Sequence, residues 1–180
     1  MYASLVLDFE PASRDTDAAL VALAQTGDRA AFGRLYERYA RMVHGILLAH
    51  VPWCDAEDLQ QDVFVTALQR LAGLREAAAF GGWLAAIARH AAYDRHRRQK
   101  STVAADEHLP GPGGPSLEAM AVLAEIHRLP EAYRESLTLR LVEGLTGPEI
   151  AARIGLTPDS VRVNLHRGMK VLKERLEPQR

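Results

Sequence analysis

Between Asp17 and Lys100 apolar residues return every three or four positions, the spacing that gathers them on one face of an α-helix, and no strand-like alternation interrupts them. The pattern divides at helix breakers. A short helix over Asp17 to Gln25 stops at Gly27, and Asp28 is placed to cap the next one by accepting from its unpaired backbone N–H groups. That second helix is long: Phe32, Leu35, Tyr36, Tyr39, Val43, Ile46 and Leu47 form one stripe, and Pro52 prevents its continuation. Asp55 is expected to cap a third helix, with Leu59, Val63, Ala67, Leu68 and Leu71 inward and Gly73 as its end. A fourth starts near Phe80 and runs through Trp83, Leu84, Ile87, Ala88 and Ala91 into a basic stretch ending at Lys100. Four such stripes can bury one another as a compact helical unit.

The rhythm fails from Ser101 to Ser116, where Pro110, Gly111, Pro112, Gly113, Gly114 and Pro115 cannot hold a regular helix and offer little to a core. Helical periodicity returns at Leu117, with Pro130 placed to start a helix and Gly144 to end it. Thr146-Gly147-Pro148-Glu149 then has the form of a capping box. The helix it opens can run only to Ile154, because Gly155 supplies a left-handed turn residue and Thr157-Pro158 starts another helix at once. This is a helix-turn-helix pattern, with Ile150, Ala151, Ile154, Leu156, Val161 and Leu165 spaced to fill the angle and Leu172 and Leu176 also inward. The expected fold is all-α: an N-terminal tail over 1–16, a helical domain over 17–100, a flexible linker over 101–116 and a helix-turn-helix domain over 117–177.

Composition changes this picture little. The chain has 180 residues, 48% apolar and 25% charged, which suits one medium or two small globular domains. Its net charge of −1 means that nucleic-acid binding has to come from local clusters of basic residues. Two such clusters exist. Arg89 to Lys100 holds five basic residues against one acidic, and Asp159 to Arg180 holds six against three. In the first, Arg95, Arg97 and Arg98 can track the phosphates of an unpaired strand, with Tyr93 among them; Phe80 and Trp83, on the apolar stripe, belong to the core rather than to a base-stacking platform. In the second, Arg162 and Asn164 lie where a recognition helix meets base edges, and Arg167 and Lys170 where it meets phosphates.

Asp55, Asp58 and Asp62 share one helical stripe but have no histidine at matching spacing, so they suggest a solvated or partner-facing surface rather than a metal site. His44 and His50, like His90 and His96, are six apart and point to different faces. Cys54 is the only cysteine, which excludes an intrachain disulfide and fits a reducing, cytoplasmic setting. Met1 to Glu10 lacks the basic start and long apolar core of an export signal, and the apolar window Ala77 to Ala88 is too short to span a bilayer. Neither a metal nor another cofactor is expected.

Three stretches together resemble the extracytoplasmic-function group of sigma factors, in the sigma-70 family. Asp55-Ala56-Glu57-Asp58-Leu59-Gln60-Gln61-Asp62-Val63-Phe64 resembles the family's polymerase-binding helix. Phe80 to His90 with Tyr93-Asp94-Arg95 resembles its promoter-melting segment, and Glu143 to Val161 with Leu165-His166-Arg167 its carboxy-terminal helix-turn-helix. The resemblance covers residues 17 to 177 in the family's order. It implies a sigma factor that is not itself an enzyme. Asp55, Asp58, Leu59 and Asp62 would face the clamp of the largest subunit of core RNA polymerase. The basic helix would open the minus-ten element of promoter DNA, and the helix-turn-helix would read the minus-thirty-five element. An anti-sigma factor is the further partner it implies. Gly81 and Ala86 stand where members often carry arginine, and His90 where asparagine is common, so the resemblance assigns those positions no phosphate contact.

Two other readings separate by experiment. A regulator that binds DNA through the helix-turn-helix alone, with an amino-terminal sensing or dimerisation domain, would not be pulled down by core polymerase. A helical metal-dependent hydrolase using Asp55, Asp58 and Asp62 would require bound divalent metal.

Overall fold

The structure, a computed structural model, describes residues 16–101 and 116–176. The tail, most of the linker and the last four residues lie outside these ranges. All the regular elements described are helical: α1 (Asp17–Gln25), α2 (Arg29–Leu48), α3 (Trp53–Arg70), α4 (Phe80–Ser101), α5 (Leu117–His127), α6 (Glu131–Leu141), α7 (Gly147–Ile154) and α8 (Pro158–Leu176), with short 3-10 turns at Leu71–Gly73 and Ala77–Ala79.

Local chemistry sets most boundaries. Asp28 accepts from the backbone N–H groups of Ala30 and Ala31 and starts α2 as expected. Thr146 and Glu149 form the complete capping box at the start of α7, and Gly155 ends that helix at φ 73°, where a side chain would be strained. Thr157 Oγ1 accepts from the Ser160 N–H at 3.2 Å to open α8. The expected cap at Asp55 is corrected. The third helix begins at Trp53, directly after Pro52, whose φ of −56° already suits a helix start; Asp55 therefore sits inside the first turn with its side chain turned to another element.

Helix α2 is the axis of the amino-terminal half. Tyr39 packs edge-on against the fully buried Phe80 of α4, with ring centroids 5.2 Å apart, and Tyr36 lies 4.5 Å from Phe64 of α3. Phe64 and Ala67 are buried, whereas Leu68, expected inward, is exposed; the buried face of α3 is turned toward Phe64. Leu156 and Leu176 are likewise exposed rather than inward. In the carboxy-terminal half, Ile126, Leu129, Leu137 and Leu172 form a core of their own between α5, α6 and α8.

The two helical domains touch. Ile150, Ala151, Ile154 and Val161 fill the helix-turn-helix as expected, yet with Leu139 and Leu145 they belong to the same buried cluster as Leu35, Ile46, Phe80 and Leu84 of the amino-terminal half. Helix α6 packs on α2, and α7 on both α2 and α4.

Candidate nucleic-acid and polymerase interfaces

On α3, Asp58 and Asp62 are exposed and Leu59 is half-buried between them. Asp55 differs: its carboxylate accepts from Arg95 of α4 at 2.6 Å. A groove of about 670 Å³ lies between the two helices, with Leu59, Trp83, Ile87 and Ala91 as its apolar lining, Asp62 on the α3 side and His90, Arg95 and Arg98 on the α4 side. Polymerase-facing and strand-facing candidates thus share one cleft. Cys54, in the first turn of α3, is exposed. Among the described residues no group of three or more His, Cys, Asp or Glu side chains could hold a metal ion, and no described helix is long and apolar enough to cross a membrane.

The basic stretch of α4 is less uniform than its charge count suggests. Arg95 is held by Asp55, first through the hydrogen bond and then through the charge, which raises its already high pKa. Arg97 donates to Asp94 at 3.0 Å. Arg89 does not belong to the strand-facing set at all. Its guanidinium makes a two-pronged contact with Glu135 of α6, at 2.6 and 2.9 Å, across the boundary between the domains. Phe80 is fully buried and Trp83 half-buried, while Tyr93 is exposed and lies 5.4 Å from the His50 ring.

The helix-turn-helix presents α8 by its amino-terminal half. Arg162 is 76% exposed and sits 3.3 Å from Asp159, Asn164 is half-buried, and Arg167 and Lys170 are exposed. Lys170 also borders an apolar groove formed by Leu165 and Met169, with Arg140 and Lys173 at its rim. Helix α8 packs on α5, α6 and α7, and α4 on α1, α2, α3 and α7.

Sequence reasoning passed over the boundary between the domains. Glu135 and Glu143, His44, His50 and His127, and Arg153 all meet there. The available signal was Gly45, a glycine in the middle of a long helix, which in general marks a close approach.

Comparison with known proteins matches this geometry. The Sigma-70 region 2 profile matches residues 35–102, and the Sigma-70, region 4 profile matches residues 119–172. The ECF RNA polymerase sigma-E factor of Haemophilus influenzae is 30% identical over 91% of this chain and 96% of its own length. The chain belongs to the extracytoplasmic-function sigma factors. Its likeness to the sigma-E factor of Escherichia coli K12 is again 30%, over 91% of this chain and 95% of that one. Among solved structures, CnrH in complex with the cytosolic domain of CnrY superposes with a TM-score of 0.64 at 27% identity, covering 91% of this chain and 99% of CnrH. The sigma factor RpoE in complex with the anti-sigma factor NepR from Bartonella quintana shares the fold, at a TM-score of 0.56 and 21% identity over 82% of this chain and 96% of that one. As an ECF sigma factor the chain binds core RNA polymerase and directs promoter recognition at the start of transcription. Sigma factors as a class are not enzymes.

Proposed function

We propose that the sigma factor divides its task between residues 17–100 and 117–177, joined by residues 101–116. Asp58 and Asp62, with Leu59 between them and Asp55 behind, meet the basic face of the polymerase clamp; opposite charges there steer and orient the encounter. Arg95, Arg97 and Arg98 hold the unpaired strand of the minus-ten element. Arg162 and Asn164 reach base edges of the minus-thirty-five element, and Arg167 and Lys170 its phosphates. Phosphodiester chemistry is left to the polymerase, and the chain works in the cytoplasm. Because CnrH and the Bartonella RpoE were each solved with a protein partner, RpoE's being an anti-sigma factor, we extend an anti-sigma partner to this chain.

The observation that carries this reading is the joint occurrence of region 2 and region 4, in order, with the acidic exposed face of α3 beside the basic half of α4. Transcription in vitro with core polymerase on a genomic fragment library tests it. Discrete start sites preceded by a common pair of elements are expected. Core polymerase giving no more initiation with the protein than without it would refute the reading.

A further inference from the structure

A groove of about 510 Å³ opens on the carboxy-terminal domain between the end of α6 and the second half of α8. Leu165 and Met169, both half-buried, form its apolar part, and Arg140, His166, Lys170 and Lys173 line the rest. Three of these are permanent cations, and no carboxylate stands among the described residues that line it. Arg140 is fixed there by donating to the Leu145 carbonyl at 3.2 Å. Such a surface fits a segment that is apolar and acidic at once.

The described residues start close to this groove. Thr16 caps α1 by accepting from the Ala19 N–H at 3.3 Å, and the Asp17 carboxylate accepts from Arg38 at 2.7 Å and from the Tyr39 hydroxyl. Arg153 of α7 lies over the Tyr39 ring, 5.9 Å from its centroid, and donates to the Arg38 carbonyl at 3.0 Å. Asp17 and Glu149 of α7 border one small pocket of about 220 Å³. Gly147, roughly 200° around α7 from Glu149, faces the groove: a methyl group on it would lie 4.0 Å from Leu165 Cδ1. One helix, ~10 Å across, thus separates Asp17 from the groove. Ahead of Asp17 the chain reads Leu5-Val6-Leu7-Asp8-Phe9-Glu10, four apolar side chains with two carboxylates, and no Lys or Arg stands among its first ten residues. Residues 11–16 reach ~20 Å when extended, enough to pass around α7.

We propose that residues 5–10 dock in this groove of their own chain and restrain its binding to duplex DNA. Leu5, Leu7 and Phe9 alternate with Val6, Asp8 and Glu10, so an extended segment sets three apolar side chains toward Leu165 and Met169 and leaves Asp8 and Glu10 at the edge, within reach of Lys170, Lys173 and Arg140. Lys170, proposed above to meet DNA phosphate, is then held by the chain's own carboxylates, and a duplex has to displace the segment to reach it. The tether suits a weak contact, because a short linker presents the segment at roughly millimolar local concentration. The restraint on DNA binding rests on the promoter reading above; the docking itself does not.

Methionine-methyl NMR of the full chain tests the docking, since its four methionines are Met1, Met42, Met120 and Met169, and the Met169 signal is assigned by its loss in Met169→Leu. Deletion of residues 2–12, and separately Leu7→Ser with Phe9→Ser, should move the Met169 signal and leave in place that of Met42, which is fully buried in the amino-terminal half. A synthetic peptide of residues 1–12, added to the deleted protein at about millimolar concentration, should return the Met169 signal toward its wild-type position. Both altered proteins should bind mixed-sequence duplex DNA roughly tenfold more tightly than wild type, the factor expected if the groove is filled in about nine-tenths of the free protein. The serine variant keeps every charge of the wild type, so its gain cannot come from a change in net charge. A Met169 signal identical in all three proteins would overturn the docking. A wild-type signal that moves toward that of the deleted protein on dilution would also overturn it, by assigning the groove to the segment of a second copy. A moved signal with unchanged duplex affinity would overturn the restraint. If no version binds duplex DNA, the promoter reading fails, while Met169 still judges the docking.

Discussion

At the residue scale, Arg89 and Arg95 belong to one basic run, yet six residues are about 1.7 helical turns, so the two side chains leave α4 roughly 120° apart. One consequently meets Glu135 and the other Asp55. Asp55 was misplaced for a related reason: rules for caps favour aspartate, and the preceding proline had already started the helix. Asp58 and Asp62 stay exposed, as the proposed contact with polymerase requires. Replacing both with lysine should weaken core binding while circular dichroism remains helical, and unchanged binding would remove α3 from the interface. On the proposed reading, α8 divides in the same way between residues that position it and residues that would meet DNA. Arg162→Ala should cost ~1–3 kcal/mol of promoter affinity and relax preference at one base position. Arg167→Ala or Lys170→Ala should weaken all duplexes about equally and lower the salt dependence by about one counterion. Titration of each variant against promoter and scrambled duplexes at several salt concentrations separates the two behaviours.

At the scale of elements, the helices and their breakers were readable because each is fixed within a few residues: Asp28, the Thr146–Glu149 box and Gly155 act on their own neighbours. What each helix packs against was not, since Val161 fills the helix-turn-helix and also joins the core of the other domain. Val161→Ala should therefore destabilise the chain by ~1–3 kcal/mol, measured by denaturant unfolding. The contact between α6 and α4 predicts a pH effect as well. Burial by itself would raise the pKa of Glu135, but the neighbouring His50 and Arg89 outweigh it and hold the carboxylate below its ordinary value of 4.5. A depressed carboxylate stabilises the folded form above its unfolded pKa and ceases to do so as pH falls through its folded one. The stability advantage of wild type over Glu135→Gln should thus be full above about pH 4.5 and shrink below it. An advantage that does not change with pH would mean that the ion pair is not its source.

At the scale of the whole molecule, the linker decides whether the two domains can work at once. The sixteen residues from Ser101 to Ser116 reach at most ~55 Å when fully extended, at ~3.3–3.6 Å per residue. Adding about 13 Å for the radius of each small domain gives roughly 80 Å, close to the ~85 Å between the two promoter elements. The linker is therefore long enough with little to spare, which makes its length matter more than its chemistry. Exchanging Gly111, Gly113 and Gly114 for serine should leave transcription largely intact, because serine keeps the chain short-sided and able to extend. Deleting residues 106–113 removes ~27 Å of reach. That deletion should preserve binding to core polymerase through α3 but abolish initiation at promoters of natural spacing. Initiation should return on templates whose two elements are moved closer by about 8 base pairs, the length of duplex that ~27 Å represents. Moving the minus-thirty-five element by that amount also rotates it around the duplex, by about three quarters of a turn at ~10.5 base pairs per turn, so templates shortened by 10 or 11 base pairs serve as the in-phase comparison. Loss of core binding on serine exchange would instead make residues 101–116 a docking element, and full activity of the deletion on unaltered promoters would show that the two domains need not reach both elements together.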